Sequence, residues 1–444
     1  MVKFAFCILM NRAFMNTPPI DWFRRCTPYI NAHQGKTFVI MFDGDALTSD
    51  NFDKLIHDFV LLHSLGIRLV LVYGARTQIN QALKNANINS IFYQDVRVTA
   101  KDSMEHILSV VGKTRLQIEA EFCKGLANTP MLGTKVSTIS GNFITAKPFG
   151  VRDGVDYQLT GEVRRIDAAA IKHNLDCRHV VILDSLGFSV SGEIFNLQSY
   201  EIAIKTAIAL KADKLIFLGQ TDGIFDNGVL IREMTVDAAQ NFLQKHPKNT
   251  VLKNAIIACQ EGIKRVHLLS YKQDGAILEE LFTTDGQGTL ISQNQFDNIR
   301  EATSDDILGI MTLIKPLEQK GILIERSRQR LEEEIDFFVV IERDGKIIGC
   351  AALYPLDDIS GEIASIAIDP DYQNGQRGSD LLTFIQNRAK TFGLTQLFAL
   401  TTRTLHWFIE HGFNQTTPNA LPKKRLQQYH NGRNSKVLIK SLSD

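Results

Sequence analysis

Apolar residues fall along the chain in blocks, and the period within each block predicts an element. Thr37-Phe-Val-Ile-Met-Phe42 and Arg68-Leu-Val-Leu-Val-Tyr73 are near-continuous apolar runs, as expected of strands buried on both faces. Between them Phe52, Leu55, Ile56, Phe59 and Leu62 return every three or four residues, and Gly66 closes the run, which predicts a helix. Strand, helix, strand at this spacing is a βαβ unit and implies a parallel sheet. Further strand-like runs lie at 179–183, 214–218 and 266–269, with helical patterns between them. A partly apolar helix is predicted over residues 20–33, and shorter strands and turns over 95–165. Residues 20–292 therefore read as one large α/β domain.

A polar stretch, Ser292 to Ile299, marks a boundary. Beyond it Thr303-Ser-Asp-Asp306 reads as a helix cap with acids in the first turn. Ile307, Ile310, Met311, Ile314 and Leu317 then make one apolar helical face. Strands are predicted at 337–341 and 347–353, joined by the turn Arg343-Asp-Gly-Lys346. A strand carrying Ile363, Ile366 and Ile368 follows and ends at Asp369-Pro370, since proline supplies no ladder donor. A small-residue loop, Gln373 to Ser379, leads into Leu381, Leu382 and Ile385 at helical spacing, and a last strand is predicted at 397–402. Residues 299–444 read as a second, α+β domain.

Strand, glycine-containing loop, helix N-terminus is a recipe for holding phosphates. The first backbone N–H groups of the helix have no partner, and its dipole favours negative charge. The loop Gln373-Asn374-Gly375-Gln376-Arg377-Gly378-Ser379 and the acidic Glu362 that opens the strand resemble the GNAT acetyltransferases. Their signature, Gln/Arg-x-x-Gly-x-Gly/Ala, sets loop amides on the pyrophosphate of acetyl-CoA. Gln376 stands where that signature has its first glycine, and Gly375 sits one place early.

The first domain is similar to the amino-acid kinases, and above all to those acting on N-acetylglutamate. The resemblance rests on Gly35-Lys-Thr-Phe-Val-Ile, Val72-Tyr-Gly-Ala-Arg-Thr-Gln-Ile79, Arg97-Val-Thr99, Gly154-Val-Asp-Tyr157, Gly161-Glu-Val163 and Leu281-Phe-Thr-Thr-Asp-Gly-Gln-Gly-Thr289, in that order. Two departures matter. Met41 stands where the kinases have a lysine, followed by Asp43-Gly44, and Asn196-Leu-Gln-Ser-Tyr200 lacks the aspartate of their Asn-x-Asn-x-Asp run. Phosphoryl transfer depends on neutralising the transferring charge, so this domain is expected to be kinase-shaped without kinase activity.

The two domains in this order, over roughly residues 20–442, resemble the bacterial N-acetylglutamate synthase family: an amino-acid kinase-like αβα sandwich followed by a GNAT domain. The resemblance implies acetyl transfer from acetyl-CoA to the α-amino group of L-glutamate, the opening step of arginine biosynthesis, with L-arginine as feedback inhibitor sensed by the first domain. It implies Glu362 as general base, since a strand start beside apolar neighbours would make it a stronger base, and Thr401 as the hydroxyl near the leaving thiolate. Backbone groups at Ile366, Ala367 and Ile368 would polarise the thioester carbonyl. Arg326, Ser365, Arg433 and Ser435 would contact glutamate, because a guanidinium fork fits a carboxylate. His267, Glu280 and Gly286 would form the arginine site. From Gly412 to Ser443 the chain has no acid but carries Lys423, Lys424, Arg425, Arg433, Lys436 and Lys440, a tail suited to an anionic substrate or the phosphates of CoA. The helix around Trp22 and Tyr29 is similar to one that links kinase dimers into hexamer rings, so a homo-oligomer is expected. A non-catalytic arginine-binding regulator, a bifunctional synthase and kinase, and an acetyltransferase of protein lysines are the competing readings.

Composition trims the alternatives. Among 444 residues, Lys plus Arg equals Asp plus Glu at 49 each, so bulk charge does not suggest nucleic acid as a partner. Six cysteines, at 7, 26, 123, 177, 259 and 350, form no CxxC pair, which argues against structural zinc and a disulfide framework and fits a reducing cytoplasm. No metal is expected. No stretch approaches about 18 apolar residues, so no membrane span is predicted. Residues 1–19 read as an extension. Its short apolar run has no clear small-residue cleavage site, so a misassigned start with Met15 as the alternative competes with a signal peptide.

Overall fold

A computed structural model describes residues 19–124, 133, 135–283, 286–293, 297–343, 345–373, 377–429 and 434–442. They divide into two compact units, 1–294 and 295–444.

The first unit opens with helix α1 (Pro19–His33) and is built on an eight-stranded sheet. Its strands are β1 (Thr37–Phe42), β2 (Arg68–Tyr73), β3 (Ser137–Ile139), β4 (His179–Leu183), β5 (Lys214–Gly219), β6 (Glu233–Thr235), β7 (Arg265–Ser270) and β8 (Thr289–Ser292), in spatial order β6-β8-β7-β5-β1-β2-β4-β3. All ladders are parallel except β7–β8. Every residue of β1 is buried. Phe38, Ile40 and Phe42 join one apolar cluster, with α2 (Phe52–Ser64), while Val39 and Met41 join another, with α3 (Ser199–Leu210). Two covered faces explain the continuous apolar runs. A four-stranded sheet from residues 144–148, 161–166, 186–188 and 194–196 completes the unit.

Met41 is fully buried in that apolar packing. Just beyond it Asp43 is pushed up to about 6 by burial and by Asp45, against the pull of Arg76. The end of β1, where a kinase neutralises phosphate, is therefore lined by an apolar side chain and acids.

The second unit is a seven-stranded sheet: β9 (Asn298–Glu301), β10 (Phe338–Arg343), β11 (Lys346–Pro355), β12 (Ser360–Ile368), β13 (Gln396–Thr401), β14 (Asn414–Thr416) and β15 (Lys436–Ser441), ordered β9-β10-β11-β12-β13-β15-β14. Thr303 and Asp306 form the expected cap as a reciprocal capping box, and Arg300 clamps the same carboxylate. It leads into α5 (Ile307–Gln319), numbered after α4 (Ala276–Phe282) of the first unit. Helices α5 and α6 (Arg328–Glu334) cover one sheet face around Phe338, Val340, Cys350 and Ala352. Helix α7 (Arg377–Thr391) covers the other, against Val339, Ala351, Ile363 and Leu397.

Candidate active site

β12 changes partners along its length, and the site follows from that. It pairs in parallel with β13 only from Ser360↔Gln396 to Ile363↔Ala399, yet stays antiparallel to β11 as far as Ile368↔Gly349. Past Ile363 the edge facing β13 has no ladder, so backbone groups around Ile366, Ala367 and Ile368 face an opening between the strands. The β11 register jumps from Cys350↔Ala367 to Ala352↔Ala364, which leaves one extra residue on β12. This is a β-bulge, a device that re-aims a strand. Ser365 sits in it with φ +55°, is 4% exposed, and its buried Oγ has no hydrogen-bond partner. A left-handed serine with an orphaned hydroxyl is strained at about 1–2 kcal/mol.

Glu362 precedes the bulge and is 8% exposed. Expected at a strand start beside apolar neighbours, the carboxylate is found in an ion pair. Arg425, on the short helix α9 (Lys423–Gln427), numbered after α8 (Leu405–Glu410), grips the carboxylate with two donors. Nε donates to Oε2 and Nη2 donates to Oε1 at 3.0 Å. The remaining Nη1 donates to the Gln428 carbonyl at 3.4 Å. Arg425 belongs to the basic tail expected to suit an anionic substrate or the phosphates of CoA, and it pairs with Glu362 instead. Lys440 of that tail is also engaged, on the His411 carbonyl at 2.8 Å.

Tyr354 lies directly across from Glu362 in β11, so the two share a face of the sheet. Its hydroxyl donates to Glu334 Oε2 at 2.6 Å, and Arg330 Nε donates to Oε1 at 2.7 Å. Burial would raise Glu334, but these bonds and the charges of Arg330 and Arg326 outweigh it and hold the carboxyl low. Arg326 reaches the same group: its side chain is 8% exposed, Nε lies 3.7 Å from Glu334 Oε2 without a hydrogen-bond partner, and Nη1 donates to the Ile324 carbonyl. Neither Glu334 nor Tyr354 was picked out from the sequence; no local motif signals them. Cys350 packs below with its thiol pushed up to about 12 by burial, so it is a small apolar residue and not a nucleophile.

At the far end of the opening, α7 begins. Gln373 Nε2 donates to the Ile368 carbonyl at 3.2 Å. Arg377 ties the helix start to Asp297 (Nε to Oδ2, 2.6 Å) and to the Tyr372 carbonyl. Gly378 leaves room for Trp407, whose ring would lie 3.3 Å from an added Cβ. Ser379 Oγ is 2.7 Å from His411 Nε2, and His411 Nδ1 is 2.7 Å from the Trp407 carbonyl. A carbonyl only accepts, so Nδ1 carries a proton and donates it to Trp407. Thr401 closes β13. Its Oγ1 accepts from the N–H groups of Arg403 (3.2 Å) and Thr404 (2.9 Å), and Thr404 Oγ1 lies 2.8 Å away. With two donors already pointing at it, the Thr401 hydroxyl is left to give its own proton. Ser435 accepts the Tyr429 hydroxyl at its backbone carbonyl, 2.7 Å. Asn374, Gly375, Gln376 and Arg433 lie outside the described residues.

In the first unit His267, Glu280 and Gly286 come together. His267 Nδ1 is 2.6 Å from Glu280 Oε1, and Oε2 accepts the N–H groups of Gln287 (2.7 Å) and Gly288 (3.0 Å). Lys214 Nζ, absent from the sequence reading, is 3.5 Å from His267 Nε2. An ammonium only donates, so Nε2 is the acceptor and Nδ1–H points at the carboxylate. Burial and Lys214 lower His267, which stays neutral between cation and anion. Burial would raise Glu280, but His267 and the two backbone donors hold it well below the usual carboxylate range. At Gly286, φ +59°, an added Cβ would meet Glu280 Oε2 at 2.5 Å, so no larger residue fits.

Comparison with known proteins agrees with both units. Residues 36–270 match the amino acid kinase family and residues 307–413 the acetyltransferase (GNAT) family. The chain is 47% identical over 428 residues to the amino-acid acetyltransferases of Pseudomonas syringae pv. tomato and of Azotobacter vinelandii, covering 95% of this chain and 99% of each relative. It is similar in structure to N-acetylglutamate synthase from Neisseria gonorrhoeae complexed with coenzyme A and L-arginine: TM-score 0.88, 36% identity, 96% of this chain and 100% of that one. The complex of that enzyme with coenzyme A and N-acetyl-glutamate matches with TM-score 0.62 and 37% identity over the same shares. Among the described residues no helix is long and apolar enough to cross a membrane, and no cluster of His, Cys, Asp and Glu is arranged for a metal.

Proposed function

The chain belongs to the amino-acid acetyltransferase family, and from that premise we propose that it moves acetyl from acetyl-CoA to the α-amino group of L-glutamate, under feedback inhibition by L-arginine. The observation that carries this is the opening beyond Ile363, with a buried carboxylate at its start and a helix N-terminus at its end. Acetyl-CoA would lie in the opening, pyrophosphate against Gln373–Ser379 at the start of α7, where amides and dipole favour anions. The thioester carbonyl would accept from the backbone at Ile366–Ile368. Glu362 takes a proton from the α-ammonium, the amine nitrogen bonds to the acetyl carbon, and the C–S bond breaks. Thr401 gives its proton to the departing thiolate and takes in its place the surplus proton of the newly bonded nitrogen, which leaves the amide, the thiol and an unchanged Thr401 hydroxyl. Arg326, Ser365, Ser435 and, from the family resemblance, Arg433 bind the acceptor.

Residues 20–292 would act as the arginine-sensing domain through His267, Glu280 and Gly286. Of the four lone-pair sites on the Glu280 carboxylate, three are used, which leaves one for a guanidinium. The apolar and acidic end of β1 argues against phosphoryl transfer there. A cytoplasmic homo-oligomer, as large as a hexamer, completes the proposal. The test is steady-state release of CoA from acetyl-CoA with glutamate and titrated arginine, beside ATP with N-acetylglutamate. Glutamate-dependent CoA release that arginine suppresses, with no ADP formed, is expected. ADP without CoA release would overturn it.

A further inference from the structure

Arg97 lies on the second strand of a hairpin in the first unit, Ile91–Tyr93 with Val96–Val98, and is 7% exposed. A buried guanidinium ordinarily faces a carboxylate, because an unpaired buried charge is costly. Among the described residues Arg97 meets none. Its side chain donates only to neutral groups: Nη1 to Ser90 Oγ at 2.7 Å and Nη2 to Asn80 Oδ1. The guanidinium carbon lies 4.5 Å from the centre of the Phe92 ring, and that of a second cation, Arg76, lies 4.6 Å from the same centre. Arg76 has Asp95 at 2.7 Å. Burial and the charge of Arg76 push Arg97 down to about 10. The positive charge here is short of a counter-charge.

Ser90, Asn80 and Phe92 line one open hollow of about 470 Å³, together with Lys84, one turn beyond Asn80 on the helix Arg76–Asn85. No acid lines it. A guanidinium only donates, so Arg97 fixes the direction of both its neighbours. The Ser90 oxygen accepts, which leaves its own proton to give. Asn80 turns its oxygen to Arg97, which leaves its NH₂ to give. Neither group donates to another described residue, and Lys84 has no ion-pair partner among them. A hydroxyl, an amide NH₂ and an ammonium therefore line the hollow as donors, and a buried cation polarises the first two.

We propose that this hollow is a binding site for the phosphate group of a small molecule. A carboxylate offers two oxygens, whereas a phosphate monoester offers three with up to two charges. The ester thus matches three donor groups and brings the counter-charge that Arg97 lacks. The volume lies within the range of small-molecule sites, about 300–1,000 Å³, and leaves room for the rest of the ligand. The site shares no residue with the loop before α7 or with the His267–Glu280 network.

Titration calorimetry of glycerol phosphate, inorganic phosphate and acetate into the full chain tests this, with CoA at saturation so that the loop before α7 is occupied. Glycerol phosphate should bind at least as tightly as inorganic phosphate and about tenfold or more tighter than acetate. Lys84→Gln and Ser90→Ala, both at exposed positions, should each weaken it about tenfold, as expected for one lost hydrogen bond to a charged group. Asn80→Asp supplies the missing carboxylate from within the chain, so it should raise Tm and abolish phosphate binding. No heat from glycerol phosphate, or unchanged binding in Lys84→Gln or Ser90→Ala, overturns the site. Acetate bound as tightly as glycerol phosphate overturns the phosphate assignment, and inorganic phosphate bound more tightly overturns the ester. Asn80→Asp binding the ester as well as wild type does would overturn the part given to Arg97.

Discussion

Replacing Glu280 by glutamine keeps the shape of the buried network and breaks its logic. The carboxylate accepts from His267 Nδ1 on one oxygen and from two backbone N–H groups on the other. An amide has one oxygen and one NH₂. Turned one way, the NH₂ meets Nδ1–H. Turned the other way, it meets the amides of Gln287 and Gly288. Either orientation sets donor against donor in a buried place, at about 1–3 kcal/mol. The bonds that survive lose their charge assistance, at about 1 kcal/mol in total. The sum is about 3 kcal/mol, or a fall in Tm of roughly 6–12 °C for a unit of this size. Scanning calorimetry of wild type and Glu280→Gln, each with and without L-arginine, measures both effects. Arginine at about 100 times its Kd should stabilise the wild type by about 2.7 kcal/mol and the variant far less. A variant that melts within a degree of wild type, or gains as much from arginine, would refute both the donor count and the sensing role.

Three further outcomes are expected. Ser365→Ala removes a hydroxyl that has no partner, so Tm should hardly move while the KM for glutamate rises; an unchanged KM would take Ser365 out of the acceptor site. Thr401→Val should lower kcat by about 10²-fold or more, one proton-transfer contribution at its low end, and Thr401→Ser should keep it; equal kcat in both would leave the thiolate to solvent. His267 is lowered in the folded state, so the unfolded chain takes up its proton first as pH falls. Stability of the first unit is therefore full above the ordinary histidine range, near pH 6.5, and declines below it. Denaturant unfolding of wild type and His267→Gln between pH 7.5 and 5.5 checks this, and equal slopes against pH would rule it out.

The sequence by itself determined the order of elements and most of the chemistry carried by neighbours in the chain. The runs at 37–42 and 68–73 are apolar because both faces of β1 and β2 are covered, and that leaves a direct trace in composition. The Thr303–Asp306 cap is legible because its bonds span three residues.

Only the tertiary structure decided who faces whom. Arg425 meets Glu362 across 63 residues, Asp297 meets Arg377 across 80, and Lys214 meets His267 across 53. The bulge at Ser365 depends on how β12 registers with β11, and no residue type announces it. Local patterns fix which backbone shape a segment prefers, because the hydrogen bonds and apolar faces involved lie within a few residues. A charge's partner is chosen by the packing of distant strands and helices, and that choice is written nowhere in its neighbourhood.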